Sequence, residues 1–474
     1  MIDLKNLTIE EAHESLKRGE FTCRELANAY LKVIKEKNPE INAYIEVYDD
    51  VLDQADEMQK KFVSKTDTIL TGIPFAIKDN ILIKERIVSA GSKILENYKA
   101  SYDATIIKNL KKAGAIFLGR TNMDEFAMGS STQTSAFGVT KNPIDTTRVP
   151  GGSSGGSAAA LAGDMTLAAL GTDTCGSVRE PSAFCGLVGL KPTYGAVSRQ
   201  GIIAMGNSLD QVSPFGKCAR DVEIIFDFLS NYDEEDSTSV SDELRDSRLK
   251  NQNSNSKKIG VPWHLFKEGI DTEVQENFKE SLDKLKKAGY EILDIELPHA
   301  KYSLAVYYII MPAEVSTNLS RFDGIRYGYS AEGENLMDIY KKSRHNGFGK
   351  EVRRRIILGT YVLSHGYYDA YYIKALKVRE KIKTEIMETF KKVDYILTPT
   401  VPITAFKLGE KLDDPVSMYL CDIFSAPANL SGVPAIALPS GVSKDGLKFS
   451  IQFMASHGRE DLLFEVGKKF ETIM

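Results

Sequence analysis

Lys78, Ser153 and Ser177 are the side chains in this sequence best placed to do chemistry. Ser153 follows Lys78 by 75 residues (153 − 78), and Ser177 follows Ser153 by 24 (177 − 153). Lys78 ends the apolar run 73–77 in GIPFAIKDNI. A lysine at the end of such a strand is costly to desolvate, and desolvation lowers its pKa. A lysine neutral near pH 7 is a general base. Composition alone equally allows a lysine that snorkels from a sheet edge into water. The two serines lie between Val149 and Ser198, where glycine, serine and alanine crowd and large side chains are scarce. A Gly/Ser run is usually a flexible linker. Here it runs directly into apolar segments at 158–162, 165–170 and 187–190, and linkers are not flanked by core. Small residues inside a core signal close backbone approach or positive φ.

The elements that must position these residues alternate between helix and strand. Residues 1–66 are predicted to be helical: Thr8 caps a turn holding Glu10 and Glu11, Leu26, Tyr30, Leu31, Val33 and Ile34 recur at helical spacing, and a third, more polar helix covers 51–63. Lys78 ends a strand. A helix is predicted over 103–113 and a strand from 114. Another strand over 164–170 leads to the loop 171–177, and a further one covers 187–190. A helix over 221–229 precedes a polar, charge-mixed surface excursion at 233–258. The sheet restarts at 259–263, followed by a helix over 272–288 and a strand over 290–297. Residues 300–395 are mostly helical and tyrosine-rich, covering one face of the sheet. Late strands fall at 396–400, 435–439 and 449–454. There is no internal repeat.

Composition narrows the function classes. The 474 residues carry a net charge of −5 and are 42% hydrophobic and 26% charged, which is ordinary globular usage. An acidic total argues against this chain alone holding a nucleic acid tightly. The five cysteines never form C-x-x-C, which gives neither a zinc site nor a disulfide framework and suits a reducing compartment. The six histidines show no metal-ligand spacing. The N-terminus does not have the pattern of a signal peptide, and no apolar run is long enough to span a bilayer. GGSSGGS lacks the G-K-[ST] ending of a phosphate-binding loop.

Lys78, GGSSGGS around Ser153, and GTDTCGSVREPSAFCGLVGLKPT around Ser177, in this order and at these spacings, resemble the amidase signature family. RFDGIRYGYS at 321–330, LGTYVLSHGYYDAYY at 358–372, ILTPTVPITAF at 396–406 and the segment 233–240 ending DSTSV resemble one branch of it, the A subunits of glutamyl-tRNA(Gln)/aspartyl-tRNA(Asn) amidotransferases. The likeness covers essentially the whole chain. It implies a single α/β domain over 1–474, a large mixed β-sheet core covered by helices on both faces. Its parts would be N-terminal helices at 1–66, a signature core at 67–232, the polar excursion at 233–258, and the rest of the sheet and its cover at 259–474.

The resemblance also implies roles. Ser177 would attack the side-chain carboxamide of glutamine. Ser153, after a cis Gly152–Ser153 bond, would relay the proton to Lys78 and return it to departing ammonia. Backbone N–H groups of Thr174, Cys175, Gly176 and Ser177 would form the oxyanion hole. Gly129, Ser130 and Ser131 would line the pocket with Tyr308, while Arg355 would hold the glutamine carboxylate and Asp422 its ammonium. Asp173 and Arg179 would fix the nucleophile loop, with Ser154 and Ser157 structural. No metal or cofactor is implied in this chain, and ATP and Mg²⁺ would belong to a partner protein. The implied partners are the B and the small C components of a heterotrimer and, mainly through B, misacylated tRNA; Glu-tRNA(Gln), and by extension Asp-tRNA(Asn), would be amidated in the cytoplasm or an organellar matrix. Two positions depart from the family: Cys175, where a glycine is usual, and Glu180, where an uncharged glutamine is common. Cys175 is strained if residue 175 needs φ > 0, and otherwise narrows the pocket beside the carbonyl. Two further readings stay open: a free-standing amidase of another small amide, and a scaffold protein impaired by Cys175.

Overall fold

The computed structural model describes residues 2–241, 243, 257–266, 269–411 and 414–474. Among them eleven strands form one sheet: β1 (Tyr44–Val47), β2 (Pro74–Lys78), β3 (Ile116–Thr121), β4 (Ala168–Asp173), β5 (Val188–Lys191), β6 (Gln211–Gly216), β7 (Lys258–Val261), β8 (Glu291–Asp294), β9 (Tyr395–Pro399), β10 (Ala435–Val442) and β11 (Lys448–Met454). Their order is β1-β3-β2-β4-β6-β5-β10-β11-β9-β7-β8. β2 runs parallel to both β3 and β4, whereas β6, β5, β10, β11 and β9 pair antiparallel in turn. The sheet is therefore mixed, as expected. Every residue of β2, β3, β4 and β6 is buried. That explains the apolar runs that open β2, β3 and β4, since neither face meets water there.

The parallel register fixes the chemistry. Ile77 pairs with Leu170 across β2 and β4, so Lys78 and Thr172 emerge at neighbouring strand ends. Thr121 at the end of β3 pairs with Lys78 on the other side.

The N-terminal helices α1 (Ile9–Arg18), α2 (Cys23–Ile41) and α3 (Val51–Ser64) form where helical spacing places them, and α1 and α2 each start with a capping box, Thr8/Glu11 and Thr22/Glu25. With α4 (Thr105–Ala113), α5 (Gly155–Ala162), α6 (Arg179–Cys185) and α7 (Ala219–Leu229), they bracket the signature core. The tyrosine-rich section forms the helices Ser303–Asn318, Leu336–Gly347, Lys350–Val362 and Lys374–Thr389. One apolar cluster joins α1–α7 to the sheet, and a second lies under these cover helices.

Three sequence expectations change. The strand expected from 164 begins only at Ala168, because Asp164 takes a left-handed φ of 58° at the exit from α5, and it runs on to Asp173. β1 and β6 were not anticipated. β1 is four residues between two helices, and β6 carries Pro214, which normally argues against an inner strand. The excursion starting at 233 is docked at its root: Asp233 accepts from Ser198 Oγ, Asp236 pairs with Arg199, and Val240 N donates to Gly195 O. Of the rest of that excursion, 242 and 244–256 lie outside the described residues.

Candidate active site

Lys78 Nζ sits at the centre of a buried polar knot. It lies 2.8 Å from Ser153 Oγ, 2.8 Å from Ser154 Oγ and 2.9 Å from Thr172 Oγ1. The lysine is fully buried, so the snorkelling alternative fails. Burial pulls its pKa down to about 7, although Asp124, Asp173 and Asp210 pull it back up. At neutral pH a large share of the amine is therefore unprotonated and able to accept a proton. Ser154, expected to be structural, touches Lys78 directly. Ser157 instead bonds Thr121 Oγ1 and Leu170 O, as a structural residue would. Thr172 and Asn80, which donates to Thr172 Oγ1 at 3.0 Å, have no separate sequence signal; they fall out of the β2–β4 register.

The peptide bond Gly152–Ser153 is cis. Ser154 N donates to Ser177 O at 3.2 Å, which ties the relay loop to the nucleophile loop. Ser177 itself is 8% exposed, and its hydroxyl has no hydrogen-bond partner among the described residues.

Asp173 organises the nucleophile loop. Its carboxylate accepts from Gly176 N at 2.8 Å, from Val178 N and Asn429 Nδ2, and from two nitrogens of Arg179 at 3.0 and 3.1 Å. Arg179 also reaches Gln452, Ser425 O and Asn429. Both members of the pair are fully buried. Burial would raise the Asp173 pKa, but Arg179 and the Gly176 N–H outweigh it and hold the carboxylate well below its ordinary range. This is the loop-fixing role expected of both residues. Gly176 has φ +103°, and a Cβ there would meet Ser425 Oγ at 2.6 Å, so the loop needs glycine at 176. It does not need glycine at 175: Cys175 is absent from the positive-φ residues, so its side chain is not strained. Because the Gly176 N–H is spent on Asp173, the four expected oxyanion donors reduce to three. The N–H groups of Thr174, Cys175 and Ser177 are unpaired among the described residues.

A second buried carboxylate, Asp124, folds the loop at 129–134. It accepts from the backbone N–H groups of Ser131, Thr132, Gln133 and Thr134 and from Thr134 Oγ1. A Cβ on Gly152 would collide with Asp124 Oδ2 and Ser131 N, so this loop lies directly against the relay loop. Gly129, Ser130 and Ser131, together with Arg355 and Tyr419, line a cavity of about 390 Å³.

Tyr308, Arg355 and Asp422 come from three distant parts of the sequence and are joined through Arg355 and Tyr419, which line this cavity. Tyr308 donates to Asp422 Oδ2 at 2.8 Å and stacks on Tyr419 with centroids 3.8 Å apart. Arg355 packs over both tyrosine rings at 5.5 and 5.4 Å, and its Nε bonds Glu351 Oε1 at 2.8 Å. Arg355 is buried, whereas its neighbour Arg354 is a third exposed and ion-pairs with Glu351. Burial raises the Asp422 carboxyl to about 7 against the opposing hydrogen bond from Tyr308 and charge of Arg355. Glu351 and Tyr419, which complete this wall, were not singled out from sequence. Both lie in the segments EVRRRIILG and MYLCDIF that carry Arg355 and Asp422, and their own part shows only in the packing.

The mixed sheet with its buried lysine and Gly/Ser loops is accompanied by a match of the Amidase family to residues 25–464. The chain belongs to that family. It is 49% identical to the A subunit of the glutamyl-tRNA(Gln) amidotransferase of Thermoanaerobacter pseudethanolicus, covering 99% of this chain and 97% of that one. The crystal structure of the corresponding protein from Thermotoga maritima superimposes with a TM-score of 0.78 at 40% identity, covering 98% of this chain and 94% of that one. The peptide amidase of Stenotrophomonas maltophilia superimposes at a TM-score of 0.80 but only 26% identity, covering 99% and 97%. The fold alone therefore does not separate substrates. No helix among the described residues is long and apolar enough to cross a membrane.

Proposed function

We propose that this chain is the glutaminase component of a tRNA-dependent amidotransferase, with Lys78, Ser153 and Ser177 as its catalytic residues. The observation that carries the reading is the desolvated lysine hydrogen-bonded to Ser153, in a chain that also assembles an arginine, a tyrosine and an acid suited to an amino acid's two charges. Arg355 and the loop 129–131 line one cavity, and that loop lies against Gly152 of the relay loop. Ser177 Oγ attacks the carboxamide carbon of glutamine. Its proton passes to Ser153 Oγ while Ser153 passes its own to neutral Lys78 Nζ. The developing oxyanion faces the unpaired N–H groups of Thr174, Cys175 and Ser177. The relay then runs backwards: Lys78 returns the proton through Ser153 to the leaving nitrogen, ammonia departs, and water hydrolyses the acyl-serine by the same route. The planar guanidinium of Arg355 binds the substrate carboxylate and Asp422 its ammonium.

The named relatives are components of amidotransferases, which supports a partner that activates and amidates Glu-tRNA(Gln), and by extension Asp-tRNA(Asn), with ATP and Mg²⁺. The B component would carry most of the tRNA contact and the small C component would complete the heterotrimer, working in the cytoplasm or an organellar matrix. The test is ammonia release from glutamine by the purified chain, with and without co-expressed partners. Release that depends on Ser177 and increases with partners and charged tRNA is expected. Release from simple aliphatic amides but not from glutamine would make this a free-standing amidase, and no release under any condition would make it a scaffold protein.

A further inference from the structure

Residues 124–126, in MDEFAMGSS, reach in three directions from the loop after β3. Asp124 N donates to the carbonyl oxygen of the relay residue Ser153 at 3.1 Å. Glu125, only 3% exposed, lines the same cavity as Arg355. Its Oε2 accepts from Gly349 N at 2.8 Å, and its Oε1 accepts from Ser92 Oγ. Gly349 is the N-cap of the helix Lys350–Val362, which carries Arg355 less than two turns further on. A carboxylate at this point satisfies a helix N–H and faces the positive end of the helix dipole. Gly349 has no side chain to do so itself, and a Cβ there would collide with Glu125 Oε2. Phe126 adds a second contact, its ring edge-on to Phe348 with centroids 5.7 Å apart. Phe126 and Ala127 both take left-handed φ, 50° and 62°, which is costly for residues with a side chain and persists only where packing enforces it. The far end of the helix is fixed separately, where Gly359 lies directly against Pro312 O. Glu125 thus holds the end nearest the cavity.

We propose that Glu125 is a positioning residue: it ties the helix of Arg355 to the loop that supports Ser153, and so sets the spacing between the hold on the substrate's carboxylate and the proton relay. The inference rests on the glutamine reading given above and deepens it. The carboxylate and the carboxamide of glutamine are joined by a short chain of fixed bond lengths. A guanidinium displaced by about 1 Å must give up the carboxylate or draw the carboxamide away from Ser177. Glu125 acts through Gly349 and the helix, not on the reacting atoms. An amide without the carboxylate does not use the guanidinium, and its turnover depends far less on where the helix lies.

The test is ammonia release by the full-length chain, alone or with co-expressed partners, from glutamine and from 4-aminobutanamide, which is glutamine without its carboxylate. Glu125→Ala is expected to lower kcat/KM for glutamine about 10- to 100-fold, mainly through KM, and to lower the preference for glutamine over 4-aminobutanamide by a similar factor. Gly349→Ala places a methyl where the Glu125 oxygen lies and attacks the same contact from the helix side. It should act in the same direction, so the test does not hang on one variant folding. Glu125→Gln keeps an oxygen for Gly349 N and should recover most of the preference. In Arg355→Met there is no guanidinium to position, and adding Glu125→Ala should cost less than about threefold more. A merely structural Glu125 would lower the melting temperature, leave the preference where it was and add its full loss to that of Arg355→Met. That result overturns the inference and leaves the glutamine reading intact. Arg355→Met with an unchanged kcat/KM for glutamine, or no ammonia release from glutamine by any form of the protein, overturns both.

Discussion

The catalytic loops, the floor of the site, and the Tyr308–Arg355–Asp422 cluster, its wall, use buried charge in opposite ways. On the floor, Asp124 accepts five hydrogen bonds from backbone and side-chain donors, and Asp173 accepts six, two of them from the guanidinium of the fully buried Arg179. Nothing is left over for a ligand. These carboxylates shape the loops that carry Ser153 and Ser177. On the wall, Asp422 has one side-chain donor among the described residues, Tyr308. The same chemical group is structural where its lone pairs are saturated and available to a ligand where they are not. Changes on the floor should therefore appear in catalytic rate and stability, and changes on the wall in substrate affinity.

Lys78→Met is the most severe test. Removing the base is expected to lower kcat by about 10²–10⁴-fold with little change in KM, measured as initial rates of ammonia release. In the unaltered protein kcat should rise with pH through about 7, as the buried amine loses its proton. Stability gives an independent check of the sign. Lys78 has a folded pKa below its unfolded value, so between about 7 and the ordinary lysine range the unfolded chain binds more protons. Unfolding free energy should climb with pH across that window, and Lys78→Met should remove this contribution. A kcat profile unchanged in Lys78→Met would mean that the floor carries no base.

Arg179→Met attacks the floor through its scaffold. It strands Asp173 without its charge partner, and loss of one member of such a buried pair costs about 3–5 kcal/mol. Denaturant unfolding should register that loss. A loss below about 1 kcal/mol would place Arg179 with surface ion pairs and dissolve the distinction between floor and wall.

How far the sequence foretold this arrangement differs between the same two regions. Lys78, Ser153 and Ser177 were legible because each lies in a local motif whose small residues betray close packing. Asp173 and Arg179 were legible for the same reason. Asp124 was not, because its donors come from a loop that must first fold back over it. Thr172 and Asn80 were hidden because they reach Lys78 only through strand pairing. The wall was read by resemblance at Tyr308, Arg355 and Asp422, while Glu351 and Tyr419 emerged only from contacts. Glu180 was visible as a departure, but that its carboxyl oxygens are buried without a hydrogen-bond partner among the described residues depends on packing, which no local pattern encodes.

Arg355→Lys probes the wall. The shorter, non-planar cation cannot keep both its place over the tyrosine rings and a two-point hold on a carboxylate. KM for glutamine should rise about 10- to 100-fold, corresponding to one lost charge-assisted hydrogen bond, with kcat reduced far less. A loss confined to kcat would place Arg355 with the floor.

Cys175→Gly should produce the smallest change, and it decides whether the departure at residue 175 has silenced the site. Cys175 does not require positive φ, so glycine relieves no backbone strain there. Its thiol packs in the apolar cluster with Met205, Tyr307 and Met311, and burial with nearby Asp422 raises its pKa, so it is present as an unreactive thiol. The groups that matter for the oxyanion are the backbone N–H of residue 175 and its neighbours, which glycine keeps. Two small effects then oppose each other. Glycine opens space beside Tyr307, and it loosens a loop whose geometry the oxyanion needs, at a cost of about 0.5–1 kcal/mol. The expected outcome is a kcat/KM within about fivefold of the unaltered protein, in line with a free-energy change of that size. A gain of a hundredfold or more would mean that Cys175 blocks the floor, and the chain would then be a scaffold that a single substitution restores to catalysis.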